Sequence, residues 1–255
     1  MSNIKKAFEN KKAFVGFLTA GDPSLEKTKE YILEMERAGA DIVEIGIPFS
    51  DPIAEGPVIQ AANVRALQAG CTLPKIFDMV KELRKETQIP LVFLTYANPV
   101  FHYGYDAFCK KCQEIGIDGF IILDIPFEER GEIEGYAKKY DLDFITLIAP
   151  TSKNRIANLA KNSSGYIYLV SSMGVTGMRD NLKTDISEVV KEIRKYTDTP
   201  VAVGFGVHTR QQVKDYQKEA DGVIVGSAIV KLIEEHKDKA KDAIYEYVNG
   251  LCVDR

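Results

Sequence analysis

Hydrophobic residues along the chain alternate between two kinds of pattern. Short apolar or β-branched runs predict strands, and longer segments with apolar residues at helical spacing separate them. Helices are predicted over residues 25–38 and, as one long element, from Ile229 towards Val248. The eight predicted strands are Phe14–Leu18, Ile42–Ile45, Leu91–Leu94, Gly119–Leu123, Phe144–Ile148, Tyr166–Val170, Val201–Val203 and Val223–Val225.

This alternation of strands and helices is typical of repeated βα units around a parallel sheet. A weak repeat supports it, because Gly39-Ala40-Asp41, Gly116-Ile117-Asp118 and Ala220-Asp221-Gly222 each precede a predicted strand. The length of 255 residues is close to the roughly 250 residues of one eight-stranded α/β barrel. We therefore predict a single domain over residues 1–255 with the (β/α)8 TIM-barrel fold. A doubly wound open sheet is the alternative.

The composition of the chain limits the kinds of partner and the cellular compartment that we expect. Acidic and basic residues are interleaved and sum to a net charge of −4, so no basic surface for nucleic acid or an anionic membrane is predicted. No stretch approaches the roughly 20 apolar residues that span a bilayer, and we expect a cytoplasmic protein. The one C-x-x-C pair, Cys109 and Cys112, has no second pair and no histidine cluster beside it. Neither a metal site nor a redox site is predicted.

The carboxyl ends of barrel strands carry the working residues of this fold. Glu44 shares a strand face with Ile42, whereas Val43 and Ile45 take the other face. This alternation places a carboxylate near the mouth of a packed barrel, where desolvation should raise its pKa towards a value useful for acid/base chemistry. A salt-bridged glutamate at a strand end is the alternative interpretation.

Two other features of the strand ends indicate chemistry. Tyr168 alternates with Tyr166 and Val170, which predicts a phenol at the mouth with Glu44 as a natural hydrogen-bond partner. A core aromatic residue is the alternative. Glycine-rich segments, residues 204–206 and 226–228, follow the last two predicted strands. They indicate a phosphate site made from loop amides and a helix N-terminus, although ordinary turns have the same composition.

Six segments, in order along the chain, together resemble the successive motifs of the tryptophan synthase α subunit family. The segment from Glu44 to Pro57 is the most specific of them. The six are Phe17-Leu18-Thr19-Ala20-Gly21-Asp22-Pro23, Glu44 to Pro57, Tyr96-Ala97-Asn98-Pro99, Asp124-Ile125-Pro126, Gly174-Val175-Thr176-Gly177 and Gly204-Phe205-Gly206.

The resemblance implies retro-aldol cleavage of indole-3-glycerol phosphate to indole and glyceraldehyde 3-phosphate, without a cofactor. It implies that Glu44 is the principal acid/base, that Glu55 contacts the indole N–H and that Tyr168 lies beside the reacting centre. Thr176 would belong to a loop that closes over the substrate. The positions that would form the apolar wall are Phe17, Leu94, Ile121, Ile148 and Phe205. The positions that would hold the phosphate are Gly177, Gly206, Gly226 and Ser227.

The resemblance also implies a partner, a β subunit that carries pyridoxal phosphate and receives the indole in an α2β2 complex. Asp51, Asn98 and Pro126 fall at its contact face. Glu55 stands where the family usually has Asp, and Ser172 where it usually has Arg. These two departures leave open a barrel with little lyase activity that regulates the β subunit. A lyase that releases free indole without a partner is a further alternative.

At a third position, Gly16 stands where proline is common in the family's first strand. This departure affects the stiffness of the backbone more than the chemistry.

Overall fold

The computed structural model describes residues 3–171 and 186–252, which form one parallel sheet surrounded by helices. The sheet has nine strands in the order β5-β4-β3-β2-β1-β9-β8-β7-β6. All eight predicted strands are present, but the fifth is divided at Ile145 into β5 and β6. These two halves are the ends of the sheet, so the sheet closes on itself through the chain at this residue. The predicted TIM barrel is confirmed.

The bounds of the elements follow the sequence pattern closely. The strands are β1 Ala13–Thr19, β2 Ile42–Gly46, β3 Leu91–Thr95, β4 Gly119–Ile122, β5 Asp143–Phe144, β6 Thr146–Ile148, β7 Ile167–Val170, β8 Val201–Gly204 and β9 Gly222–Val225. The α-helices are α1 Asn3–Lys6, α2 Leu25–Arg37, α3 Pro57–Gln68, α4 Leu73–Leu83, α5 Ala97–Tyr103, α6 Tyr105–Ile115, α7 Gly131–Lys139, α8 Ile156–Lys161, α9 Ile186–Arg194, α10 Arg210–Glu219, α11 Ser227–His236 and α12 Ala240–Cys252. Short 3-10 helices cover Phe127–Glu129, Pro150–Arg155 and Lys237–Lys239.

The predicted long final helix is wrong, because it is two helices. Lys237 has φ of 49°, a left-handed conformation that an α-helix does not continue through. The hydroxyl of Tyr31 donates a hydrogen bond to the carbonyl of Lys237 and ties the break to α2. α12 then packs its apolar face, which includes Ile244 and Val248, against the helical layer.

The two faces of each strand serve two cores. Side chains that point inwards, such as Val15, Ile42 and Val92, form the interior of the barrel. Side chains that point outwards, such as Val43 and Ile45, pack under the helices. Strands buried on both faces are expected of a parallel sheet, and they explain why the strand sequences read as continuous apolar runs.

Three aspartates tie neighbouring units together at the amino-terminal end of the barrel. Each accepts a hydrogen bond from a backbone N–H at the beginning of the preceding strand and also pairs with a cationic side chain. The sets are Asp41 with the Phe14 N–H and Lys11, Asp118 with the Leu91 N–H and Arg84, and Asp221 with the Val201 N–H and Arg194. They are the aspartates of the weak sequence repeat, so that repeat marks a recurring link between adjacent strands.

Candidate active site

Glu44 is a carboxyl group buried inside the barrel. In the sheet register it lies between Phe17 of β1 and Val92 of β3, and only 1% of its surface is exposed. The Tyr166 hydroxyl donates a hydrogen bond to Oε1 of Glu44. Desolvation raises the pKa of Glu44 to about 8, and the bond from Tyr166 opposes this rise only in part. The group is therefore mostly protonated at neutral pH and can act as a proton donor.

The hydrogen-bond partner of Glu44 differs from the predicted one. Tyr166, not Tyr168, donates to it, because Tyr166 lies one inward position deeper on the strand and its ring fills the barrel beside Phe8. Tyr168 is still near enough to Glu44 to be affected by it: burial, and to a smaller extent the charge of Glu44, raise the pKa of Tyr168. A Cβ at Gly204 would lie 2.5 Å from the Tyr168 hydroxyl oxygen. This glycine of the phosphate motif therefore has a packing role of its own.

The apolar positions predicted to form the pocket separate into two groups. Leu94 and Ile121 are register partners, one inward position closer to the mouth than Glu44. Phe17 belongs to the same interior cluster. Ile148 does not, because it packs with Ile156 and other residues of the outer layer. This placement corrects the predicted one, and the inward side chain of that strand is Leu147, which packs against the interior cluster.

Glu55 lies in the loop between β2 and α3, and the structure fixes its side chain. Asn63 Nδ2, near the middle of α3, donates to Glu55 Oε2 at 2.7 Å. Burial raises the pKa of Glu55, whereas hydrogen bonds from Asn63 and Tyr96 lower it. The Tyr96 hydroxyl also accepts a hydrogen bond from the Ala54 N–H at 3.2 Å. Sequence reasoning missed Asn63 and Tyr96, although Tyr96 stands within a motif it had singled out.

The glycines expected to hold phosphate follow two adjacent strands, β8 and β9. Phe205 and Gly206 have φ of 79° and 82°, so the backbone turns sharply after β8, and 37% of the Phe205 surface is exposed. Gly226 precedes Ser227, the first residue of α11. The N-terminus of this helix, with its free backbone N–H groups, therefore lies directly after β9. A Cβ at Gly226 would approach the Phe17 ring to 3.2 Å. The lack of a side chain at Gly226 thus makes room for the Phe17 ring and also leaves the Gly226 backbone uncovered by a side chain.

Several predicted residues lie outside the described part of the chain. Thr176 and Gly177, expected in a loop over the substrate and at the phosphate, fall in the gap between residues 171 and 186. Ser172, one of the departures from the family pattern, falls there as well. Their expected roles rest on the sequence alone.

The residues expected at a partner face lie at the ends of three consecutive strands. Asp51, Asn98 and Pro126 are all exposed, in the segments that follow β2, β3 and β4. Two large apolar side chains of the same segments are exposed as well, Ile53 at 79% and Phe101 at 67%. A partner that covered these segments would remove both apolar side chains from water.

Other kinds of site have little support in the described residues. Within residues 3–171 and 186–252, no group of three or more His, Cys, Asp or Glu side chains could hold a metal ion. No helix in these ranges is long and apolar enough to cross a membrane. Burial raises the pKa of the Cys109 thiol to about 12 and that of Cys112 well above its usual value, so both thiols are poor nucleophiles.

Comparison with known proteins decides the family. The family model for the tryptophan synthase alpha chain matches residues 2–251. The chain belongs to the tryptophan synthase alpha chain family. The alpha chain of Lacticaseibacillus casei is 49% identical over 253 residues, which cover 99% of this chain and 95% of that protein. The alpha chain of Alkaliphilus metalliredigens is 46% identical and covers 94% of both.

Solved structures of tryptophan synthase agree in fold. The alpha subunit from Campylobacter jejuni superposes with a TM-score of 0.87 at 34% identity, covering 96% of this chain and 98% of that one. A chain of the tryptophan synthase α2β2 complex from Pyrococcus furiosus gives 0.88 at 34% identity, covering 94% and 98%. Membership of this family assigns the chain a lyase role in tryptophan synthesis.

Proposed function

We propose that the chain cleaves indole-3-glycerol phosphate by a retro-aldol reaction to indole and glyceraldehyde 3-phosphate. The observation that carries the proposal is the buried carboxyl of Glu44, whose pKa is raised to about 8 at the inner mouth of the barrel. Such a group can both give and take a proton near neutral pH, as general acid/base catalysis requires. Family membership supports this choice of substrate.

The reaction breaks the bond between the indole ring and its side chain. Protonated Glu44 gives its proton to the ring carbon that carries the side chain. The bond then breaks as the adjacent hydroxyl loses its proton and becomes the aldehyde. The carboxylate left on Glu44 keeps the hydrogen bond from Tyr166 and is the base that takes this proton. The two proton transfers balance, so no redox step and no cofactor is needed.

Glu55 stabilises the charge that develops on the ring nitrogen in this proposal. A carboxylate opposite the indole N–H lowers the energy of the cationic transition state because it is held in place before the reaction begins. The bond from Asn63 at 2.7 Å provides that positioning. Phe17, Leu94 and Ile121 would enclose the indole ring, and the segments of Gly206, Gly226 and Ser227 would bind the phosphate through backbone N–H groups.

We further propose that a β subunit binds the surface around Asp51, Asn98 and Pro126 and receives the indole, with pyridoxal phosphate held by that subunit alone. The exposure of Ile53 and Phe101 on the same segments supports the surface. The Pyrococcus furiosus protein supports the assembly, because it forms an α2β2 complex with mutual activation. Faster turnover is then expected with the β subunit, since a partner bound at the mouth would favour closure of the loops around the substrate.

The decisive experiment measures indole released from indole-3-glycerol phosphate by the purified chain, with and without a β subunit. Glu44→Gln should lower turnover by about 10² or more, the usual contribution of an acid/base group. Glu34→Gln is the matched control, because Glu34 is a buried glutamate on α2 that pairs with Arg37 far from the mouth. Near-native turnover of Glu44→Gln would remove Glu44 from the mechanism. Absence of turnover in the unaltered chain under both conditions would favour a regulatory barrel instead.

A further inference from the structure

Arg130 is a buried cation outside the site described above. It immediately precedes α7, and only 5% of its surface is exposed. Its guanidinium carbon lies 3.8 Å from the centroid of the Phe144 ring. Nη1 donates to Thr146 Oγ1 at 2.7 Å, and Nη2 donates to the Phe144 carbonyl oxygen at 2.7 Å. Both acceptors are neutral, so these contacts orient the guanidinium without balancing its charge.

The charge of Arg130 is not balanced by any carboxylate in contact with it among the described residues. Glu134 acts on it through space, but Glu134 is already paired with Lys138 at 2.9 Å. A guanidinium has five N–H donors, and Nε is buried without a partner in the described part of the chain. Burial lowers the pKa of Arg130 only to about 10, so it remains charged at neutral pH. An unpaired buried charge is costly, which is why such groups are normally paired.

A cavity of about 140 Å³ has Arg130 among the residues that line it. It lies between the segment that follows β4, the two halves of the fifth strand and the 3-10 helix Pro150–Arg155. Apolar residues, including Ile125, Phe127 and Leu159, form part of its wall, and polar atoms form the larger part of the exposed lining. Arg155 also lines it, but the carboxylate of Glu128 contacts Arg155 at 2.5 Å. One uncompensated cation therefore lines a half-open cleft with a partly apolar wall, and its volume is close to the roughly 150 Å³ that accommodates a benzene ring.

We propose that this cavity binds a small monocarboxylate with an apolar body about the size of one ring, the carboxylate lying against Arg130. A planar guanidinium matches a carboxylate in shape and charge. A single negative charge suffices, because Arg155 already has its counter-charge. The apolar part of the wall would bury the body of the ligand, and a fully hydrophilic anion has no such body to bury. Glu44 is not among the residues that line this cavity, and ligand binding there does not depend on the proposed reaction.

The test is a calorimetric or NMR titration of the full chain with benzoate, and with benzyl alcohol as the uncharged probe of the same shape. Benzoate should bind saturably, and Arg130→Met should weaken it at least about tenfold, which corresponds to 1.4 kcal/mol. Arg37→Gln is the matched control, since it removes an exposed arginine that pairs with Glu34, and it should leave the affinity unchanged. Benzyl alcohol should bind the unaltered chain no more tightly than benzoate binds Arg130→Met.

A second variant keeps the test independent of the folding of Arg130→Met. Ile125→Phe retains Arg130 and both of its hydrogen bonds but adds bulk at the cavity wall, so it should also abolish benzoate binding. Undiminished binding to either variant, or equal binding of benzyl alcohol and benzoate, would overturn the proposal. Displacement of benzoate by glycerol phosphate would overturn it too, because the ligand would then occupy the segments of Gly206 and Gly226.

Discussion

The two ends of the barrel treat their carboxylates in opposite ways. At the amino-terminal end, Asp41, Asp118 and Asp221 each bind a strand N–H and a cationic side chain. At the carboxyl-terminal end, Glu44 is more deeply buried, and a phenol is its hydrogen-bond partner among the described residues. The first arrangement surrounds each carboxylate with a hydrogen-bond donor and a cation, whereas burial in the second raises the pKa of Glu44.

This difference separates stability from chemistry along one axis of the molecule. The aspartates join neighbouring strands, and their ionic partners are residues of the same end. Glu44 lacks a cationic partner in the described residues and joins nothing but Tyr166, so burial determines its proton affinity. Barrel enzymes in general place chemistry at the carboxyl ends of the strands and stability at the other end. In this chain, the presence or absence of a cation beside the acid distinguishes the two ends.

The largest effect on stability is expected from Asp118→Asn. The variant keeps an acceptor for the Leu91 N–H but leaves Arg84, only 13% exposed at its side chain, without its counter-charge. We expect a loss of about 3 kcal/mol in the free energy of unfolding and normal turnover per folded molecule. Denaturant unfolding and indole release measure the two quantities. Asp106→Asn is the control, because the Asp106 pair with Lys139 is exposed. A loss of turnover with unchanged stability would break the comparison.

The pH dependence of stability should differ at the other end. The pKa of Glu44 is raised in the folded chain from 4.5 to about 8, so its contribution is fully present below pH 4.5 and is lost as the pH rises to about 8. The unfolded chain ionises first over this range. Relative to Glu44→Gln, the unaltered chain should therefore lose on the order of a few kcal/mol between pH 5 and 8. If the free energies of unfolding of the two proteins changed equally with pH, the raised pKa of Glu44 would be refuted.

A smaller effect, on turnover, is expected from substitutions of Glu55, the carboxylate of the loop between β2 and α3. Glu55→Gln removes the charge opposite the ring nitrogen and should cost about tenfold or more, whereas Glu55→Asp keeps the charge and loses mainly positioning. Asn63→Ala should resemble Glu55→Asp, because it releases the side chain held at 2.7 Å. Indole release and the affinity of a substrate analogue, measured for all three variants, test this order. If Gln and Asp both behave like the unaltered chain, Glu55 has no part in the reaction.

The smallest effect is expected at Gly206. Its φ of 82° is a left-handed conformation that costs an alanine about 1 kcal/mol, although a Cβ there would meet no atom within 4 Å. Gly206→Ala should therefore lower stability by about this amount and weaken glycerol phosphate binding by reshaping the loop. Gly131→Ala, in the open space at the start of α7, is the control. Unchanged affinity in Gly206→Ala would place the phosphate elsewhere.

Periodicity along the sequence predicted the features that depend on one strand at a time. The inward position of Glu44 follows from alternation with Ile42, and its raised pKa follows from burial there. The same reasoning cannot tell which side chain reaches Glu44 from across the barrel. Tyr166, the residue before β7, and Tyr168 within it point to the same side, and the position of Glu44 along the opposite strand decides which of them reaches it.

Local breaks in regular structure also escaped the sequence pattern. The apolar run from Phe144 to Ile148 reads as one strand, so the interruption at Ile145 and the outward direction of Ile148 were not visible in it. Asn63 lies in a helix eight residues beyond Glu55, and its hydrogen bond depends on how the loop folds back onto that helix. Contacts of this kind depend on tertiary geometry, which a period of two or 3.6 residues does not contain.

The divided fifth strand has a mechanical consequence for the barrel. The N–H of Ile145 donates to the Phe120 carbonyl of β4 at 3.0 Å, whereas Thr146, the next residue, pairs with β7. Around the rest of the circumference, rows of hydrogen bonds hold adjacent strands, but here a single residue, Ile145, joins the two edges. We expect a rotation about this residue to leave the register of every hydrogen-bonded strand pair unchanged. We expect the wall beside Leu147 to be the most compliant part of the cylinder when a bulky ring enters.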